Sequence, residues 1–186
     1  MMIVRYIGMG LLCLWPLLAI AQPEEPVKTW RWGLEWSSSL SYTGLGSGLT
    51  GQWQQGRHLA YAGPRLLVSD SYVPGQGPWG LQLGYQYHWV REGRWQSFVN
   101  IDYQLSWYQP YNPQQLPVSG RNRVHEFHLA YGIQYQLGPP LYLGSTLGVG
   151  GYLEQLLDVR ENQRRSYRGY SNLLRLFVRY VLMPSG

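Results

Sequence analysis

The stretch that decides the fold runs Trp79-Gly80-Leu81-Gln82-Leu83-Gly84-Tyr85-Gln86-Tyr87-His88-Trp89. Its odd positions are large and apolar or aromatic, and its even positions are Gly, Gln and His. A β-strand sends successive side chains to opposite faces, so this segment makes a ribbon with one greasy face and one polar face. Folding the chain back about Gly93 lays Trp79 against Trp107, Leu81 against Leu105, Tyr85 against Ile101 and Trp89 against Ser97. Like faces meet like, as a one-sided sheet requires.

The same alternation spreads outward along the chain. Trp30 to Tyr42 sets Trp30, Trp32, Leu34, Trp36 and Leu40 against Arg31, Gly33, Glu35 and a run of serines. His125 to Leu137 sets Phe127, Leu129, Tyr131, Ile133 and Tyr135 against Glu126, His128, Gly132 and Gln134. Folding about Pro139 pairs Tyr135 with Leu143, Tyr131 with Leu147 and Leu129 with Val149. Leu141 to Leu153 and Tyr170 to Leu182 behave alike, the latter with Arg175 and Arg179 on its second face. Helical periodicity fits none of these windows. Leu49 to Gln55 and His58 to Asp70 are extended but mixed in their faces, and Pro64 demotes the second to an edge or a bulge. With them the count is eight strands, leaving the stretch 44–78 the least defined.

The connections sort into two kinds. Gln55-Gly56-Arg57, Glu92-Gly93-Arg94 and Gly138-Pro139-Pro140 are tight turns. Gly44 to Ser47, Ser71 to Pro78, Tyr108 to Arg123 and Gln155 to Gly169 are generally longer. The two kinds alternate along the chain, as the periplasmic turns and extracellular loops of an outer-membrane barrel do.

The amino terminus supports export. One positive charge at Arg5, an apolar run from Ile7 to Leu18 and the ending Ala19-Ile20-Ala21 describe a cleaved signal peptide over residues 1–21. Residues 22–29 form a periplasmic lead, 30–183 the barrel and 184–186 a tail. Cys13 lies in the signal, after Gly10-Leu11-Leu12, which is a poor lipoprotein box. The mature chain therefore has no thiol chemistry and no disulfides. Removing Arg5 lowers the basic count from 15 to 14 against 10 acids, a net charge of +4. Lys28 is the only lysine.

Alternation alone does not say which face points outward. A soluble periplasmic barrel of lipocalin type, binding a ligand inside, would need a charged surface. Here the polar face is Gln, Gly, Ser, Asn and Tyr, which suits the crowded interior of an eight-stranded barrel. Trp79 and Trp107 at one rim and Trp89 and Trp95 at the other suit the aromatic girdles that sit at membrane interfaces. The expected fold is all-β: an antiparallel up-and-down transmembrane β-barrel of about eight strands.

In these strands and turns the chain resembles the small eight-stranded bacterial outer-membrane barrels, OmpA-like or OmpX-like in architecture, without a motif of any particular member. The resemblance implies the bacterial outer membrane as location, with its lipid and lipopolysaccharide as surroundings and a monomeric state. The last strand, ending Phe177-Val178-Arg179-Tyr180-Val181-Leu182, is similar to the signal read by barrel-assembly machinery. It differs in running on through Met183-Pro184-Ser185-Gly186.

The charged groups of the polar face are Arg31, Glu35, Asp102, Glu126, Arg175 and Arg179, with His88 and His128. Counting from the inner rim puts Glu35 and Arg179 at similar height on neighbouring first and last strands. An ion pair is expected there, within a network that includes Arg31 and Arg175 and plugs the lumen. No catalytic residue, cofactor or metal site is assigned. His125 and His128 fall on opposite faces, which argues against a metal pair. Glycines at positions 84, 144, 148 and 150 make room for bulky neighbours such as Tyr142 and Tyr152.

The expected role is structural or surface-interactive. A narrow pore is one alternative, and a lipid A-modifying enzyme is another. Some small barrels act on lipid A with His, Ser and an acid, but no serine stands at a telling spacing from His125, Glu126 or His128. Arg160, Arg164, Arg165 and Arg168 crowd the last outer loop and suit lipopolysaccharide phosphates. An exported barrel has little occasion to meet nucleic acid, the other polyanion such a cluster suggests.

Overall fold

The alternating segments close on themselves. The computed structural model describes residues 30–69, 75–110, 122–158 and 163–182, so the signal, lead and tail assignments lie outside the described residues. Eight strands follow in order: β1 (Trp30–Ser41), β2 (Gly44–Gln55), β3 (His58–Ser69), β4 (Gly75–Glu92), β5 (Trp95–Pro110), β6 (Asn122–Gly138), β7 (Leu141–Asp158) and β8 (Gln163–Leu182). Each pairs antiparallel with the next, and β8 pairs with β1 to complete a closed barrel. Closure removes the open edges that would leave backbone N–H and C=O groups unpaired in lipid.

The ladder is staggered. From Trp30, paired residues lead through Gln55, His58, Tyr87, Val99, Tyr131, Leu147 and Leu174 back to β1 at Leu40, ten residues along the strand. Such a shear tilts the strands against the barrel axis and fixes an interior just wide enough for side chains to fill.

Around Pro139 the register has Tyr135 opposite Leu143, Tyr131 opposite Leu147 and Leu129 opposite Val149. In the β4–β5 hairpin Trp79, Leu81 and Tyr85 face Trp107, Leu105 and Ile101. The expected Trp89–Ser97 pair is corrected: the register shifts after His88, and Ser97 faces Val90. An extra residue on one strand of an antiparallel pair makes a bulge, and here it falls at Trp89 beside the turn. Gly93 has φ +57°, a left-handed conformation that the tight turn requires and a side chain would resist.

Two further expectations change. The first connection is not a longer loop over Gly44 to Ser47 but a two-residue turn at Tyr42 and Thr43, and β2 begins already at Gly44. Pro64 lies inside β3, which is neither an edge nor bulged there. Its register partner on β4 is Leu81, and the β2–β3 pairing brackets it at Gly48–Arg65 and Gly51–Ala62.

The exterior is apolar. Leu129, Leu147 and Val149 are 59%, 68% and 67% exposed, and Leu34, Trp36, Leu81, Leu83, Ile101, Leu174 and Leu176 continue the surface around the wall. Soluble monomers rarely expose contiguous apolar patches above a few hundred Å². A continuous belt of this kind belongs against acyl chains. About ten tilted residues at a rise of about 3.3 Å span about 25 Å, the height of a lipid-facing band.

Candidate functional site

Inward-facing side chains fill the lumen in three tiers. Nearest the termini, Arg179 on β8 and Glu35 on β1 are register partners, and both are buried. Arg179 Nη2 and Nε donate to Glu35 Oε2 at 2.8 and 3.2 Å, Nη1 donates to Gln134 Oε1 at 2.7 Å, and Nη2 also reaches Gln86 Oε1 at 2.8 Å. Gln52 donates to the same Glu35 oxygen. Five strands are thereby tied to one guanidinium–carboxylate pair.

In the middle tier Arg175 Nη1 donates to Asp102 Oδ2 at 2.9 Å and to the Tyr61 hydroxyl at 2.8 Å. The Tyr61 hydroxyl in turn donates to Asp102. Gln82 and Gln104 donate to the two oxygens of Asp102 at 3.0 and 2.8 Å. Phe177 separates the two tiers, with the guanidinium of Arg179 4.9 Å and that of Arg175 5.8 Å from its ring centre.

The outer tier is built on Glu126. Its Oε1 accepts from the Thr43 hydroxyl at 2.7 Å, the Thr43 backbone N–H at 3.2 Å and Ser41 at 3.0 Å, and its Oε2 accepts from Ser171 at 2.8 Å. Arg65 reaches the same hydroxyls, donating to Thr43 at 3.0 Å and Ser41 at 3.3 Å. The β1–β2 turn is thus folded inward. Above it Tyr42 stacks on Tyr152 at 3.6 Å and packs with Val124 and Leu156, an apolar cluster over the outer tier on the β6–β7 side.

Each tier holds one arginine and one carboxylate. Isolated charges in a narrow interior would be costly, and shared hydrogen bonds offset that cost. Glycines opposite the bulky residues make the packing possible. A Cβ on Gly144 would strike the Phe177 ring, one on Gly132 the Phe98 ring and one on Gly84 the Tyr61 hydroxyl. At Gly84 and Gly144 the bulky neighbour is therefore Tyr61 or Phe177 and not Tyr142. Tyr152 instead fills the space beside Gly169.

Of the charges expected in the lumen, Glu35, Asp102, Glu126, His128, Arg175 and Arg179 are buried there. Arg31 is not: it is exposed at the inner end of β1, beyond Trp32–Leu182, the last β1–β8 pair. Arg175 belongs with Asp102 in a separate tier from Glu35 and Arg179. His88 lies against Phe98, with ring centres 5.2 Å apart. Alternation did not disclose Tyr61, Arg65, Thr43 and Ser171. The glycines at 46 and 84 were the available sign, because each vacates space that Arg65 or Tyr61 occupies.

Trp79 and Trp107 pack against each other, tilted by 35° with ring centres 4.5 Å apart, at one end of the β4–β5 hairpin. At the other end Trp95 packs on Tyr135 at 4.8 Å and Trp89 stands edge-on to Tyr131 at 6.1 Å. Trp30 and Trp32 flank Trp53 in a further aromatic cluster at that end. Arg164, Arg165 and Arg168 are exposed on the outer extension of β8, and Arg160 lies outside the described residues.

One constellation has catalytic residue types. Ser171 Oγ lies 2.9 Å from His128 Nε2 and 2.8 Å from Glu126 Oε2, and Glu126 is 3.5 Å from that same His128 nitrogen. A serine hydrolase needs the acid on Nδ1, so that Nε2 is left to take the serine proton. Here acid and serine share one edge of the ring, Nδ1 has no partner, and all three residues are buried. The arrangement differs in this from a serine-hydrolase triad. Among the described residues no group of three or more His, Cys, Asp or Glu side chains is placed to hold a metal ion.

The closed wall, filled lumen and apolar exterior define a small eight-stranded transmembrane β-barrel of outer-membrane type. The N-terminal β-barrel domain of Pseudomonas aeruginosa OprF is similar in structure, with a TM-score of 0.57 and 12% sequence identity over 82% of this chain and 97% of that one. A de novo designed transmembrane β-barrel gives a TM-score of 0.51 and 10% identity over 87% of this chain and 100% of that one. The likeness at these identities is one of fold. No protein-family model and no curated protein matches the sequence.

Proposed function

We propose that this chain serves in the bacterial outer membrane as a monomeric barrel with a structural or surface-interactive role, meeting lipopolysaccharide through its outer rim. The observation that carries this reading is the filling of the lumen by two arginine–carboxylate pairs, by the hydrogen-bonded Glu126 cluster and by the Tyr42–Tyr152 stack above it. A pore needs a continuous watery path, which this filled interior does not favour, and a serine hydrolase needs its acid on histidine Nδ1, where the Ser171–His128–Glu126 cluster has none. What remains accessible is the exterior and the rim, where Arg164, Arg165 and Arg168 stand exposed. Guanidinium groups suit phosphate oxygens through charge-assisted hydrogen bonds.

The test is reconstitution of the folded protein into planar bilayers beside a lipopolysaccharide-binding assay. The expected result is no stepwise conductance together with saltable binding to lipopolysaccharide. Steady single-channel steps would overturn the reading in favour of a pore.

A further inference from the structure

The barrel wall is notched where it closes. Pairing between β1 and β8 stops at Leu40–Leu174, because β1 turns inward at Tyr42, while β8 runs on to Gln163 alongside β7. Above that last pair lies a lateral groove of about 500 Å³, open to the outside, with Leu40, Leu147 and Leu174 at its apolar end, Tyr42, Tyr170 and Asn172 at its polar end, and Ser171 of the Glu126 cluster in its wall. With the stagger of the ladder taken into account, Tyr170 comes level with Trp79 and Trp107. The groove therefore straddles the outer interface of the band. Tyr170 itself is 95% exposed.

The outward face of β8 changes character along the groove. Two-residue alternation places Leu176, Leu174, Asn172, Tyr170, Arg168, Ser166 and Arg164 on one side, an order that runs from apolar through amphipathic to polar and cationic. A phospholipid or phosphorylated glycolipid has the same order from chain to headgroup.

We propose that this notch between β1 and β8 seats a phosphorylated, acylated lipid of the outer leaflet, with one acyl chain along Leu40, Leu147 and Leu174 and its phosphate at Arg164 and Arg168. The proposal deepens the surface-interactive reading and rests on it. The arginines alone would give a diffuse, salt-sensitive attraction. The groove adds a place for the chain, and hence selection for an amphiphile over free phosphate.

Native mass spectrometry of the full protein in detergent tests it, with bisphosphorylated lipid A, its dephosphorylated form and inorganic phosphate as probes. Wild-type protein is expected to hold one lipid A, to hold the dephosphorylated form about tenfold more weakly and to hold inorganic phosphate not at all. Leu40→Trp fills the groove from β1 and Leu147→Trp fills it from β7, and retained heat-modifiable mobility shows that each folds. Each is expected to weaken lipid A binding about tenfold with the arginines intact. Binding unchanged in both groove variants but lost in R164Q/R168Q would overturn the seat and leave the surface reading standing. No lipid A binding by wild-type protein would overturn both. Bound lipid recovered with its full acyl complement supports a seat, whereas loss of an acyl chain would overturn it in favour of hydrolysis.

Discussion

Glu35 on the first strand and Arg179 on the last are direct register partners across the seam that closes the barrel, with Nη2 and Oε2 2.8 Å apart. Both are buried, and between them they draw in Gln52, Gln86 and Gln134. The pair therefore fixes both the closure and its register, since a one-residue slip would send either charge into lipid.

Breaking this pair on one side should be costly. Arg179→Met leaves Glu35 buried and uncompensated, and Glu35→Leu does the same to Arg179. Each is expected to destabilise the barrel by about 3–5 kcal/mol, whereas the double variant recovers most of that loss. Urea titrations of protein folded into lipid vesicles, followed by tryptophan emission, check the cycle. Additive losses in the double variant would mean that the two side chains act independently.

Glycine at the narrow points is a second test. Gly144→Ala drives a methyl group into the Phe177 ring, and β7 backbone so close to β8 has little room to move. The expected cost is about 1–3 kcal/mol, relieved only in part when Phe177 is shortened to Leu in the same chain, because the Ile133 carbonyl oxygen would still lie 2.8 Å from the new methyl group. Gly51 is the control, because a Cβ there meets only the Ala62 carbonyl oxygen at 3.9 Å. Gly51→Ala should be silent in the same unfolding assay.

The wall was legible in the sequence because lipid and lumen impose opposite demands on alternate residues. Where both faces obey, as in Leu81–Leu83–Tyr85 against Gln82–Gly84–Gln86, strand, partner and register followed directly. In β3 the signal failed for a physical reason: Leu59 and Tyr61 point inward, where Tyr61 carries a hydrogen bond and Leu59 fills space, while the small Ala60 and Ala62 point out. Arg65 was hidden by the same confusion. Tyr42 and Thr43 resemble a strand end in composition, and only the fold shows that their turn bends inward onto Glu126. Arg31 obeys the alternation but lies past the end of the closed wall, a matter of height and not of face.

Depth in the band gives a third prediction. Leu147 stands 68% exposed on the wall between the two aromatic ends, so Leu147→Arg places a charge among acyl chains. The expected loss is about 2–4 kcal/mol. Leu153 shares that face but pairs with Arg168 at the outer rim, and Leu153→Arg should cost no more than about 1 kcal/mol. Equal costs at the two positions would contradict the assigned height of the membrane.

The lumen gives the last. Conductance in an eight-stranded barrel depends on what fills it, and here the middle tier crosses the lumen: Arg175 bridges from β8 to Tyr61 on β3 and Asp102 on β5. Removing Arg175 alone would leave Asp102 unpaired and draw Gln82 and Gln104 further over it, so a single truncation should not open a path. Arg175→Ser with Tyr61→Ser and Asp102→Ser removes the bulk and the charge together. In planar bilayers the triple variant is expected to stay silent, because the Arg179–Glu35 tier still crosses the lumen and the folded-in turn with Tyr42 still lies over it. Leak from the triple variant with Tyr42 intact would show that the folded-in turn does not seal the barrel. Adding Tyr42→Ser, with heat-modifiable mobility retained, should leave the barrel silent too, and a leak at that point would show that the Arg179–Glu35 tier does not block ions by itself.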